Sequence, residues 1–376
     1  MIILISIILL LLICGINYYL ACSLCRVVNH FVPKVSVLVP FIILSVLAVF
    51  LLLSFFKPFS GTLQWYVSAI GTAWMGIVAY LLVFTLLADL IYLFAFIFQK
   101  ISGIEVTTFR AVLGFISFAL VILVSSYGFI NARLIKTVEY HINLSKSPTE
   151  ELKVALISDV HLGAIGSESR LDKIISEINA QNPDIVCIAG DLFDTNYNSI
   201  VNPEKAIQAL QTIKSKYGVY ACLGNHDAGK TLPDMEEFIR KANVRLLKDE
   251  YVIINDSLIL AGRLDSSPIG GFGELKREDF SKVIEGIKEK LPIVVLDHNP
   301  ANVDTYKTES LILSGHTHKG QIFPGSLVTN AMYSVDYGYY RNEHGTEAIV
   351  TSGSGTWGLP MRVGSNCEVV FINLKV

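Results

Sequence analysis

Four apolar runs fill the first 131 residues of this chain. Each is at least as long as the roughly 20-residue helix that crosses about 30 Å of bilayer hydrocarbon. They lie at about 1–22, 35–56, 66–97 and 111–131, which makes 1–135 an all-α transmembrane region of about four helices. The first run has no basic side chain ahead of it and no small-residue cleavage site, which disfavours a removed signal peptide. The third is longer than one crossing needs and holds Asp89. An acid inside a bilayer is costly and either functional or turned to an interface or neighbouring helix; the second reading is preferred here. An even number of spans puts the N-terminus and the C-terminal half on one side of the cell membrane in a multi-pass arrangement. Arg26, Lys34, Lys100 and Arg110 on one side balance Lys57, Arg133, Lys136 and the terminal amine on the other, so the basic-residue count leaves the side open.

Charge divides the chain in the same place. Residues 1–140 hold seven basic and three acidic side chains, whereas the remaining 236 hold 23 basic and 30 acidic ones. That pattern excludes a disordered chain and a small disulfide scaffold. The acidic half argues against nucleic acid as a stable partner. The six cysteines make no framework. Cys14 lies in the first run, and Cys187, Cys222 and Cys367 lie in strand-like sequence. Cys22 and Cys25 form a lone C-x-x-C at a membrane boundary, read as packing or acylation ahead of a redox or metal pair.

Residues 136–151 read as a linker with an edge strand, and 152–376 as one domain. Short β-branched runs there alternate with amphipathic patterns. Strands are predicted at 154–160, 184–194, 219–227, 251–255, 258–262, 292–298, 310–316 and in two terminal runs. Helices are predicted at 169–181 (capped by Ser169), 203–217, 232–243 and 278–290. Strands outnumber helices and several neighbours look like hairpins, which gives an α/β class: a mixed two-sheet sandwich with helices outside.

Five segments carry the chemistry. Each places a metal-capable side chain directly after an apolar strand: Asp159-Val160-His161, Gly190-Asp191, Gly224-Asn225-His226-Asp227, His298 and Gly315-His316-Thr317-His318. Loops at the carboxyl ends of adjacent strands converge in α/β folds. Carboxylate, imidazole and amide oxygen together suit borderline divalent ions such as Mn, Fe and Zn. Seven ligands and one extra histidine exceed the needs of one ion; they fit two ions about 3.5–4 Å apart that share a carboxylate. Gly190, Gly224 and Gly315 would let the turns bend and a bound anion approach.

The order D-x-H, GD, GNHD, H, GHTH resembles that of the calcineurin-like metallophosphoesterase superfamily over roughly residues 150–376. The segments LSGHTHKGQIFPG and GSGTWGLPMRVGSNCEVVFINL are similar to its membrane-associated bacterial branch. The resemblance implies a four-layer α/β/β/α sandwich. It also implies that Asp159, His161 and His318 hold one metal, that Asn225, His298 and His316 hold the other, and that Asp191 bridges them. His226 would contact phosphate and help protonate the leaving oxygen, with Asp227 either orienting it or capping the loop. Where the branch usually has Gly-Gly-Gln after the last histidine, this chain has Lys319 in place of the first glycine. Lys319, facing solvent or phosphate, and Arg263 are the candidate substrate contacts.

The implied activity is metal-dependent hydrolysis of a phosphomonoester, phosphodiester or pyrophosphate. Some members of the branch are linked to lipid-type phosphoesters, and the membrane half points the same way. A phosphodiesterase for soluble nucleotides is the rival enzyme, and a catalytically silent phosphate sensor or scaffold the rival class.

Overall fold

A computed structural model describes residues 2–32, 34–59, 61–102, 108–145, 148, 150–287 and 291–376. The chain divides into two compact units, residues 1–129 and 130–376.

The first unit consists of α1 (Ile2–Phe31), α2 (Leu38–Phe56), α3 (Gly61–Ser102) and α4 (Phe109–Asn131). All four are long and apolar enough to cross a membrane. Large apolar side chains are exposed along all four, as lipid-facing helices would show. The 42 residues of α3 span about 60 Å at ~1.5 Å per residue, about twice the hydrocarbon thickness. Small residues set the packing: a Cβ at Gly71 would lie 2.5 Å from Phe50 O, and one at Gly114 would lie 2.4 Å from Val27 Cγ2. Asp89 faces its neighbours, as expected. It accepts from the Tyr19 hydroxyl at 2.9 Å and Arg110 Nη2 at 3.0 Å, with Arg26 Nη2 at 3.4 Å.

The second unit is a four-layer sandwich. Its first sheet runs β1-β12-β2-β3-β4-β5 and its second β10-β11-β9-β8-β7-β6. The strands are β1 (Ile135–Asn143), β2 (Glu151–Ile157), β3 (Ile185–Ala189), β4 (Val219–Cys222), β5 (Val244–Leu246), β6 (Glu250–Ile254), β7 (Leu258–Gly262), β8 (Ile293–Leu296), β9 (Leu311–Ser314), β10 (Gly338–Arg341), β11 (Glu347–Val350) and β12 (Cys367–Lys375). The helices are α5 (Ser167–Gln181), α6 (Pro203–Gln211), α7 (Leu232–Lys241), α8 (Phe280–Val283) and α9 (Gly325–Met332). Alternation along the strands builds the layers. In β2, Ala155 and Ile157 pack with Ile174, Ile207 and Phe238 of the helices α5–α7. Val154 and Leu156 instead join Leu260, Leu296 and Ile349 between the sheets. Ala261, Val295, Ile312 and Ala348 face outward from the second sheet against Val303 and Tyr306. Both faces of the central strands are covered, which is why they read as continuous apolar runs.

Several expectations shift. Only β6–β7 and β10–β11 are antiparallel neighbours in the second sheet; the rest of that sheet is parallel. The edge strand expected in the linking segment is present as β1, at the edge of the first sheet and paired with β12 from Ile135 onward, so that only the domain boundary moves ahead of residue 152; residues 146, 147 and 149 of that segment lie outside the described residues. Helix α5 starts at Ser167 behind Gly166, not at a Ser169 cap, because Ser167 Oγ accepts from Gly163 N. Helix α6 stops at Gln211, short of 217, since Ser215 Oγ turns to bond Gly218 O. The helix expected at 278–290 shrinks to α8: Asp279 caps its start, and Gly286 adopts φ +88° soon after its end. Residues 288–290 of that expectation lie outside the described residues.

Candidate metal centre

Five strand ends meet here. Asp159 and His161 follow β2, Asp191 follows β3, Asn225 and His226 follow β4, His298 follows β8, and His316 and His318 follow β9. Strands β2–β4 run parallel in one sheet and β8–β9 in the other, so each sheet delivers its turns at one edge. The chain must bend sharply after each strand. Asp159, His161, Asp191, His316 and His318 all take positive φ, from 50° to 72°. A non-glycine residue held there costs of order 1–3 kcal/mol, and such strain concentrates at functional sites.

The expected ligand side chains form two groups, and a third, His161 with Asp194 and His226, overlaps the first. In the first, His161 Nε2 lies 3.1 Å from His318 Nε2, and Asp159 Oδ1 lies 3.4 Å from His318 Nε2. In the second, Asn225 Oδ1 lies 3.2 Å from His298 Nε2 and 2.8 Å from His316 Nδ1. Asp191 stands between them. Its Oδ2 is 3.2 Å from His298 Nε2 and 3.8 Å from His161 Nε2. Its Oδ1 accepts from His226 N at 2.8 Å, which leaves Oδ2 turned toward the groups.

The donor set fits divalent ions. A tetrahedral ion with bonds of about 2.05 Å holds its donors about 3.3 Å apart, close to the spacings above. His298 Nδ1 meets Ala189 O at 2.8 Å; in the tautomer that donates there, Nε2 keeps its lone pair for the group. His161 Nδ1 is buried without a hydrogen bond, 3.6 Å from Asp194 Oδ1. Burial pushes the His161 imidazole down to about 3 and that of His316 down to about 4, so both rings are neutral near pH 7. Burial lifts Asp159 to about 6. For Asp191 burial acts upward, but His298 together with His161 and His226 outweighs it and holds the carboxyl below its ordinary range. His298 moves the opposite way: burial lowers it and Asp191 lifts it well above the usual imidazole value. The cavity therefore favours positive charge beside Asp191.

The glycines act through space. A Cβ at Gly224 would lie 2.2 Å from Asp191 Oδ1, and one at Gly315 would lie 2.2 Å from Asp159 Oδ2. Only Gly190 of the three has positive φ, at +78°. Close approach of ligand side chains is thus the stronger demand, ahead of the expected approach of an anion.

Of the remaining expected residues, Asp227 takes the loop-capping one of its two expected roles, and Arg263 departs from expectation. Asp227 does not orient His226. Its carboxylate accepts from the backbone N–H groups of Gly224, Phe193 and Leu192, which fixes the turn. The His226 ring is instead met by Thr195 Oγ1 at Nδ1 and lies edge-on to Trp357. Arg263 is committed to a core ion pair with Asp249 at 2.6 Å and also bonds Tyr306 and Glu278 O, so it is a structural arginine and not a phosphate contact. Lys319 places its ammonium 4.0 Å from the centre of the Tyr337 ring.

The sequence reading missed Thr195, Asp194, Trp357 and Arg362. Arg362 is fully buried, bonds His318 O at 2.8 Å and lies 3.0 Å from His318 Nδ1, so it orients that ring. Trp357 and Arg362 lie in the GSGTWGLPMRVGSN segment; Thr195 had no signal beyond its place after Gly190-Asp191.

A two-sheet α/β sandwich whose strand ends gather His and Asp side chains into candidate metal groups is the architecture of a metal-dependent phosphoesterase class. The chain matches the calcineurin-like phosphoesterase family model over residues 152–320. It is 31% identical over 257 residues to an uncharacterised metallophosphoesterase of Aquifex aeolicus, covering 68% of this chain and 97% of that protein. It is 34% identical over 249 residues to an uncharacterised metallophosphoesterase of Campylobacter jejuni, covering 64% of this chain and 63% of that protein. A Danio rerio protein named as a transmembrane protein with a metallophosphoesterase domain is 32% identical over 271 residues, covering 66% of this chain and 60% of that protein. The chain belongs to the calcineurin-like phosphoesterase family. It spans under two thirds of the Campylobacter and Danio relatives' length.

Proposed function

We propose that this chain is a multi-pass membrane phosphoesterase with a dinuclear metal centre, acting on a phosphomonoester, phosphodiester or pyrophosphate carried by a lipid. The observation that carries the reading is the position of Asp191 Oδ2, within 3.8 Å of a histidine nitrogen from each group. Asp159, His161 and His318 would hold one ion, Asn225, His298 and His316 the other, and Asp191 both. Bound divalent ions would lower the pKa of a water toward neutrality and neutralise charge on the phosphate oxygens.

The protein's own groups do the rest. His226, with its ring centre 5.0 Å from that of His161 and met at Nδ1 by Thr195, supplies Nε2 to the leaving oxygen as a general acid. The backbone N–H of His226 holds Asp191 in its shared position. Trp357 beside His226 gives a face against which an apolar leaving group rests. Four apolar helices in the same chain support a substrate that resides in the bilayer.

The test is metal analysis of full-length protein joined to a phosphoester panel that includes phospholipids, lipid pyrophosphates, nucleotides and a chromogenic diester. Bound divalent metal with preferred turnover of lipid esters is the expected result. Turnover confined to nucleotides would replace the lipid reading, and stoichiometric metal without any hydrolysis would replace the enzyme reading with a phosphate sensor.

A further inference from the structure

Helix α9 is amphipathic in the reverse sense for a soluble domain. Leu327, Val328, Ala331 and Met332 share one arc of the helix, and all four are exposed; Leu327, Val328 and Met332 are 63%, 58% and 70% accessible. On the other side, half-buried Thr329 donates Oγ1 to Asp336 Oδ2 at 2.7 Å. Soluble helices bury the apolar arc and expose the polar one. Grouped, outward-facing large apolar side chains mark an interaction surface.

The face adjoins the metal centre at two points. Tyr333, directly after α9, lies 6.1 Å from His316 between ring centres, and the exposed Trp357 lies 5.9 Å from His226. It is also joined to the point where the chain leaves α4. Asn131 Nδ2 donates to Ser365 O at 2.8 Å and to Arg362 O at 3.2 Å. Phe323 N donates to Val363 O, and Gln321 exchanges hydrogen bonds with the backbone of Trp357. Ile130 and Leu134, flanking Asn131, are exposed apolar residues as well. A short run of hydrogen bonds within the second unit therefore connects Asn131 to the base of α9.

We propose that this face, formed by α9 and Trp357, inserts into the acyl boundary of the bilayer in which the chain is anchored. An apolar arc laid into the interface gains stability with the area it buries, and Trp at such a rim suits the headgroup level. Docked in this way, the His226 side of the metal centre opens at the depth of lipid phosphates. The inference rests on the membrane anchoring proposed above.

The test uses full-length protein in phosphatidylcholine vesicles whose acyl chains carry bromine near the headgroup. A bimane reporter is attached at Val328→Cys in a Cys14→Ser/Cys22→Ser background, with Lys205→Cys, on a distant exposed helix, as control. Bromine is expected to quench the reporter at 328 and not the one at 205. Adding Leu327→Asp and Met332→Asp is expected to cut that quenching by about half or more as the apolar arc is lost, with the melting temperature unchanged. Protein that floats with the vesicles while the 328 reporter stays unquenched overturns the docking and leaves the anchoring standing. Protein that fails to float overturns both. Quenching without hydrolysis of lipid esters keeps the docking and removes only the lipid-substrate reading.

Discussion

His161 Nε2 stands 3.1 Å from His318 Nε2 in a buried site. Burial drives both rings toward the neutral form, and for His318 the adjacent Arg362 adds to it. Without a cation one ring must present Nε2–H to the other, as Arg362 at His318 Nδ1 would favour, whereas a bound cation would take both lone pairs. Metal removal is therefore expected to lower the melting temperature. Ligand linkage gives about 2.7 kcal/mol of stabilisation at a hundredfold excess over Kd. Scanning calorimetry with chelator, then with added Mn or Zn, checks this. An unchanged melting curve after verified stripping would remove the cation from the account.

Asp191→Asn keeps the shape and the backbone contact but loses the shared charge. The two groups then lack the one anionic oxygen that lies within 3.8 Å of a histidine nitrogen in each. Turnover is expected to vanish and bound metal to fall by about half or more, because ligand charge is part of metal affinity. Elemental analysis beside a turnover assay reads both. Full metal content with wild-type turnover would show that Asp191 is not shared.

In the proposed mechanism His226 belongs to the chemistry and not to the ligand set, although with His161 and Asp194 it also forms a group that could hold an ion. His226→Ala is expected to cut turnover by roughly 10²–10⁴, the usual range for a positioned acid or base, with both metals retained. Thr195→Val removes the hydroxyl that meets Nδ1 and is expected to give a smaller loss in kcat than in His226→Ala, with KM little changed. A His226→Ala protein stripped of metal would instead make His226 a ligand.

How far the sequence carried this picture depends on the range of the forces involved. The seven ligand candidates were visible because each follows a strand whose apolar run is itself a strong signal; the structure brings all seven close together, and adds a group of His161 with Asp194 and His226 that the pattern did not suggest. The four apolar helices were legible for the same reason, although α1 and α3 extend past the apolar windows. What the pattern could not reveal was decided by partners distant in sequence. Arg263 looked free for phosphate until Asp249 was placed beside it. Asp227 could orient a histidine or cap a turn, and three backbone N–H groups decided for the turn. The ends of α5 and α6 turned on Ser167 and Ser215, whose hydroxyls bond backbone outside the helix. Helix α9 and the short strands β5 and β10 carried too few residues for a period to register.

Gly224 gives the sharpest test of the site's geometry because conformational strain is absent there. It does not adopt a positive φ, so alanine meets no backbone penalty of the left-handed kind. The obstacle is spatial: the added Cβ would fall 2.2 Å from Asp191 Oδ1 and 2.4 Å from Asp191 N. The side chain could swing, but the backbone nitrogen cannot, and Asp159 N and His161 N are hydrogen-bonded to the same turn through Gly190 O and Asp191 O. Relief must therefore displace Asp191 relative to both groups. Gly224→Ala is expected to lose roughly a hundredfold or more in turnover, the scale attached to misplacing reacting groups by about 1 Å, and to weaken metal binding while the fold persists. Circular dichroism, metal titration and turnover measured on one preparation separate these effects. An alanine variant with native metal affinity and native turnover would mean that Asp191 has freedom to move without consequence, and the shared-carboxylate geometry would then not be what the activity requires.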